Sequence, residues 1–153
     1  MKRENVPRIL IIDDEADILY TLKEICIYGG WDAVTASGGR KGYKLYKIYK
    51  PNLVIVDYHM ADWDGLTTVK KIRETDNAVS ILVLTVDENQ ETSERLIAAG
   101  ATDFAIKPIK SPDLISRIKV NLRINQIQKQ LTKEVHQIVI NRTYNGYMKE
   151  RGR

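Results

Sequence analysis

Leu53-Val54-Ile55-Val56 runs straight into Asp57, and no other feature of this 153-residue chain constrains its fold so tightly. Four consecutive apolar residues, three of them β-branched, suit a strand covered on both faces, as in the middle of a parallel sheet. The turn-forming segment Ala61-Asp62-Trp63-Asp64-Gly65 follows. Open α/β sheets build their sites outside the carboxyl ends of such strands. Asp57 is therefore either a cap for the next helix or a site carboxylate, and the rest of the chain must decide.

The same grammar recurs. Arg8 to Ile12 reads as a first buried strand ending in Asp13-Asp14-Glu15, Trp31 to Ala36 as a second, Val79 to Leu84 as a fourth stopping at Thr85, and Asp103 to Ile106 as a fifth running into Lys107-Pro108. Between them lie helical patterns. Ala16 to Tyr28 places Ile18, Leu19, Leu22, Ile25 and Cys26 on one stripe and stops at Gly29-Gly30. Ser37 is the expected N-cap of a helix that holds Tyr43, Leu45, Tyr46, Ile48 and Tyr49 and ends before Pro51. Leu66, Val69, Lys70 and Ile72 mark a third helix, and Thr92 to Ala99 a fourth, closed by Gly100. Five strands alternating with helices predict an α/β fold, a doubly wound parallel sheet with helices on both faces.

The last element is unusual. Ser111 as N-cap, Pro112 at the first helical position and Asp113 in the first turn open a helix, and no Gly or Pro follows until Gly146, which would allow a continuous helix of about 33 residues, roughly 50 Å long. Leu114, Ile115, Ile118 and Leu122 can pack on the sheet, but Ile124, Ile127, Leu131, Val135 and Ile138 continue the apolar spacing beyond it. We therefore expect a body over residues 1–122 and a helical extension over 123–153. Charge divides similarly: residues 1–111 carry 15 Lys and Arg against 17 Asp and Glu, whereas residues 112–153 carry 9 against 3. The basic tail would favour a polyanion or form a solvated helix face.

No apolar run approaches the roughly 18 residues that cross a membrane, and Ile9 to Ile12 is too short for the core of a signal peptide, so a cytoplasmic protein is expected. The lone Cys26 reads as a small core residue without a disulfide partner. His136, with no Cys or His companion, is not expected to hold a metal.

The strand ends carry the chemistry. Asp13, Asp14 and Asp57 would share one crevice with Thr85 and Lys107. Crowded carboxylates repel unless a cation neutralises them, and an oxygen-only set suits a hard ion such as Mg²⁺. A lysine can meet a phosphoryl group as a point charge, and a threonine hydroxyl can donate to one of its oxygens. These parts together describe a site that takes a phosphoryl group onto Asp57.

From about Pro7 to Leu122 the chain resembles the receiver domain of two-component response regulators. The resemblance rests on Ile11-Ile12-Asp13-Asp14-Glu15, Leu53 to Asp57, Asp64-Gly65, Ile81 to Thr85, and Ala99-Gly100-Ala101 followed by Asp103 to Pro108. It implies a flavodoxin-like sheet of order 2-1-3-4-5, as in chemotaxis regulators, and an extended final helix. It also implies that Asp57 accepts phosphate from a phosphohistidine on a sensor histidine kinase or phosphotransfer protein. Asp13, Asp14, Asp57 and the backbone carbonyl of His59 would hold Mg²⁺, Lys107 would contact the phosphoryl oxygens, and the Lys107–Pro108 bond would be cis. Thr85 would move toward the phosphoryl group and Phe104 would follow it inward, so that a local charge event biases a two-state element.

Two departures stand out. Many relatives have proline after the methionine of the third loop, where this chain has Ala61 after Met60, a change expected to loosen the turn without touching the chemistry. His59 lies where Met or Asn is more familiar; with Asp87 it would flank the hydrolytic water and set the lifetime of the phosphorylated state, unless it is simply an exposed loop residue. Trp63 and Tyr58 read as loop packing residues.

The leading expectation is a phosphorylation-dependent switch rather than an enzyme acting on an external metabolite. A pseudo-receiver used only for interaction would need a broken site, yet all five site residues are present. A haloacid-dehalogenase-like phosphatase would need an acid where His59 stands. About 30 residues after Leu122 are too few for a winged-helix or helix-turn-helix domain, so specific DNA binding is not expected, although the basic tail could touch nucleic acid non-specifically. The apolar stripe instead suggests a stalk that pairs with its twin as a homodimer, or a linker of the kind that joins receivers to output domains.

Overall fold

The computed structural model describes residues 5–152. Five strands, β1 (Arg8–Ile12), β2 (Asp32–Ala36), β3 (Leu53–Asp57), β4 (Ser80–Thr85) and β5 (Asp103–Ile106), form one parallel sheet of order β2-β1-β3-β4-β5. Every residue of β3 and β4 is buried, which is why their sequences read as unbroken apolar runs rather than alternating ones. The helices are α1 (Ala16–Tyr28), α2 (Gly39–Tyr49), α3 (Gly65–Arg73), α4 (Gln90–Ala99) and α5 (Ser111–Arg151).

Two cores flank the sheet. Ile9, Ile11, Leu53, Ile55, Leu82 and Leu84 face Leu19, Leu22 and Cys26 of α1 and Leu114, Ile118 and Leu122 of α5. Leu10, Ile12, Val54, Val56, Ile81 and Val83 face Tyr46 of α2, Val69 and Ile72 of α3, and Leu96 of α4. Alternation along each strand feeds both layers. Gly42 lets α2 lie close on β1, since a Cβ there would sit 2.4 Å from Ile12 Cδ1.

Helix ends differ from the sequence expectation in four places; α4, for one, begins at Gln90 rather than Thr92, capped by Asn89, whose side-chain oxygen accepts from the Glu91 N–H at 2.9 Å. Ser37 does not cap α2: the N-cap is Gly38, at φ 131°, and the carboxylate of Asp62 accepts from the N–H groups of Gly39 (3.1 Å) and Arg40 (3.2 Å). A carboxylate from another loop thus replaces the local hydroxyl. Ser111 is the first helical residue of α5 rather than its cap, which is Lys110, and Pro112 is therefore second. Gly146 does not end α5, which runs 41 residues to Arg151. A glycine inside an exposed helix costs only about 1 kcal/mol relative to alanine, too little to stop a long one.

Asn121 and Asn125 anchor α5 to the amino ends of the strands. The Asn121 carbonyl accepts from Ser80 Oγ at 2.6 Å, and Asn121 Nδ2 donates to Asp103 at 3.2 Å. Asn125 Nδ2 donates to the Ala78 carbonyl at 2.8 Å, and its Oδ1 accepts from Asn52 Nδ2 at 3.3 Å. Beyond Asn125 no described side chain of α5 is buried. At 1.5 Å per residue, the remaining helix projects roughly 40 Å from the body.

Candidate functional site

The carboxyl ends of β1, β3, β4 and β5 converge as the sequence predicted. Asp13 and Asp57 are almost fully buried, while Asp14 is exposed at the rim. One carboxylate oxygen from each of the three lies within 4.8 Å of the others. The Lys107 ammonium sits among them, 2.8 Å from Asp57 Oδ1 and 3.4 Å from Asp13 Oδ2. The Lys107 N–H donates to the Thr85 carbonyl at 2.7 Å and fixes the start of the β5–α5 loop. The Lys107–Pro108 peptide is cis, as the resemblance implied.

Electrostatics follow from this crowding. Burial pushes the Asp13 carboxyl above its ordinary value and the Asp57 charge adds to the shift; the Glu15 N–H and Lys107 oppose it. Burial disfavours the Lys107 ammonium, yet hydrogen bonds and charge from Asp57 and Asp13 outweigh that and hold it above the ordinary lysine value. One lysine faces three carboxylates, so the cluster retains an excess of negative charge beside a rim open to solvent. Oxygen-only donors at this spacing fit a small hard cation.

Ala61 has a consequence that sequence reasoning missed. Its N–H donates to Asp14 Oδ2 at 3.2 Å, a bond that a proline at this position would lack. The third loop thereby restrains the exposed carboxylate. Gly65 brings α3 against the end of β3: a Cβ there would meet the Asp57 carbonyl oxygen at 2.7 Å and Tyr58 Cα at 2.8 Å. The Asp64 carboxylate accepts from Thr67 N–H at 2.7 Å and caps α3. Asp57 itself is thus not the cap of the next helix.

Thr85 is buried, and its hydroxyl oxygen accepts from the Asp87 N–H at 3.0 Å. Phe104, next to Ala105 in β5, is half-buried against the core on the α2–α4 side. His59 is exposed, its ring edge-on to Tyr58 at 4.8 Å. Asp87 lies close enough to feel His59; the hydrogen bond from Thr92 Oγ1 (2.6 Å), then that from Asn89 N–H (2.8 Å), and last His59 hold its carboxyl below its ordinary value. Trp63 packs on Tyr43, ring centroids 5.7 Å apart, as a loop packing residue would. No described helix is long and apolar enough to cross a membrane.

Comparison with known proteins agrees with this geometry. The family described as response regulator receiver domain matches residues 9–119. The chain is 33% identical over 116 residues to the chemotaxis protein CheY of Bacillus subtilis, covering 75% of this chain and 97% of that protein. It is 30% identical over 117 residues to the transcriptional regulatory protein PrrA of Mycobacterium tuberculosis, covering 76% of this chain and 50% of that one. The chain thus spans about half the length of several curated relatives that it matches. Among solved structures, a CheY-like receiver domain protein from Methanospirillum hungatei superposes with a TM-score of 0.77 at 26% identity, covering 81% of this chain and 99% of that one.

Proposed function

The chain belongs to the response regulator receiver domain family, and from that premise we propose that Asp57 is its phospho-acceptor. The supporting observation is the Lys107 ammonium held between Asp57 and Asp13 inside a three-carboxylate cluster. An Asp57 oxygen attacks the phosphorus of a phosphohistidine on a sensor histidine kinase or phosphotransfer protein. The P–N bond breaks as the P–O bond forms, and the imidazole leaves. Asp13, Asp14, Asp57 and the His59 backbone carbonyl would hold Mg²⁺, which supplies charge neutralisation for the phosphoryl oxygens.

This chain's own residues do the rest. Lys107 exchanges its contact with Asp57 for one with the new phosphoryl oxygens. The Thr85 hydroxyl gives up the Asp87 N–H and donates to the phosphoryl group, and Phe104 moves into the space behind it. His59 and Asp87 flank the approach of hydrolytic water and set the lifetime of the acyl phosphate. The protein is a self-modifying switch, acting in the cytoplasm, and turns over no external metabolite. Residues 1–122 form the switch. The helix beyond residue 122 is a stalk that pairs with a second copy.

Intact mass after incubation with acetyl phosphate and Mg²⁺ tests the assignment. A labile phosphate adduct is expected on the wild-type chain and not on Asp57→Asn. A folded wild-type protein that takes no adduct, or an adduct that survives Asp57→Asn, would overturn it.

A further inference from the structure

The exposed apolar surface of α5 has an internal geometry that fixes how two copies meet. Val120, Ile124, Ile127, Leu131, Val135 and Ile138 follow one another at intervals of 4, 3, 4, 4 and 3 residues. At about 100° per residue they fall within an arc of roughly 80°. Val120, Ile127, Leu131, Val135 and Ile138 are each 50–59% exposed, and Ile124 is half-buried. The residues that hold α5 to the body, Ile118, Asn121, Leu122 and Asn125, lie about a third of a turn away. Apart from Ile124, which the body partly covers, the stripe is exposed along its length, and it begins beside the body rather than beyond it.

We propose that this stripe is the interface between two copies of the chain, with their α5 helices parallel and in register over Val120 to Ile138. This deepens the pairing given above and rests on it. Parallel register sets each of the six apolar residues against its own twin. The best antiparallel alternative, centred on Leu131, sets Ile127 against Val135 and Ile124 against Ile138 but leaves Val120 against Arg142. Parallel pairing also carries both phospho-acceptor sites at one end of the assembly and both tails at the other.

The spacing averages 3.6 residues, the period of a straight α-helix, so the two helices lie side by side with little supercoil over this length. The stripe ends where Arg142 and Asn145 enter its arc. Beyond it, Ile140, Tyr144 and Tyr147 form a second exposed row on the other side of the helix. That row is not part of the pairing and stays available in the dimer.

Single cysteines read the geometry, because native Cys26 is fully buried and leaves the background clean. In the full-length protein, Ile127→Cys is expected to form an intermolecular disulfide under mild oxidation. Leu131→Cys reports pairing in either orientation. Sedimentation should show a dimer for wild type and for a chain truncated after Val139, and at least a ten-fold weaker dimer for Leu131→Glu with its helical circular dichroism and phosphate labelling retained. A dimer in which Leu131→Cys crosslinks and Ile127→Cys does not would overturn the parallel arrangement while sparing the pairing. A wild-type monomer at about 100 µM, or a dimer indifferent to Leu131→Glu, would overturn both.

Discussion

Replacing Asp13 with asparagine should make the protein more stable and less able to respond to Mg²⁺. Asp13 has two carboxylate neighbours whose nearest ligand atoms lie within 4.8 Å and one lysine at 3.4 Å. At an effective dielectric of about 20, each like charge at 4.8 Å repels by roughly 3.5 kcal/mol, and the lysine attracts by about 5 kcal/mol. Two repulsions against one attraction leave about 2 kcal/mol opposing the Asp13 charge, before its burial is counted. Asparagine keeps an oxygen for the Glu15 N–H, which now donates to Asp13 Oδ1 at 2.9 Å. Urea unfolding in chelator should therefore move to a midpoint about 1 M higher for Asp13→Asn, at a slope near 2 kcal/mol/M. Added Mg²⁺ at a hundred times its dissociation constant should stabilise wild type by about 2.7 kcal/mol and the variant by much less. A less stable variant in chelator, or equal Mg²⁺ stabilisation of both proteins, would refute the reasoning.

Three further outcomes follow from the same geometry. His59→Asn should hydrolyse the acyl phosphate several-fold faster, because a shorter side chain uncovers the approach to Asp57; an unchanged decay rate on phosphate release would remove His59 from this role. Gly65→Ala should destabilise by about 2 kcal/mol and slow acetyl phosphate labelling, since the methyl presses on the backbone of Asp57 and Tyr58; normal labelling would show that this contact yields freely. Tyr46→Phe removes the hydroxyl that donates to Asp76 Oδ2 at 2.6 Å and should cost about 1.5–3 kcal/mol at pH 7. Burial alone would raise the Asp76 carboxyl, but Tyr46, the Val79 and Ala78 N–H groups and Arg73 hold it below its ordinary 3.8. That stability is present above pH 3.8 and is lost as pH falls through the lower folded value, so the difference between the two proteins should shrink in acid. A pH-independent difference in urea midpoint would contradict it.

The sheet and the candidate site were legible in the sequence for one physical reason: buried parallel strands need apolar runs, and four of the five runs here, all but β2, end at or beside a polar residue of the candidate site. Asp13, Asp57, Thr85 and Lys107 could thus be placed by strand ends alone. Helix caps were not legible where the capping group comes from elsewhere, as Asp62 does for α2 from more than 20 residues away. Asn121 and Asn125 look like surface polar residues in a helix. Their spacing of four beside Leu114, Ile118 and Leu122 was the available signal that they face inward. Ala61 read as a harmless departure from a family pattern, because a backbone donor leaves no trace in a side-chain motif.

The latch at Asn125 sets where force can enter the domain. Asn52 immediately precedes β3, and Ala78 lies just before β4, so the root of the stalk is tied to the two strands that end in Asp57 and Thr85. The tie and the acidic cluster sit at opposite ends of β3, about 17 Å apart at 3.3 Å per residue. A stiff rod fixed there works as a lever whose fulcrum is the lower edge of the sheet. A rotation of a few degrees at that fulcrum sweeps the far end of the roughly 40 Å arm through several ångströms, so a small rearrangement around Thr85 can become a large displacement at the tail.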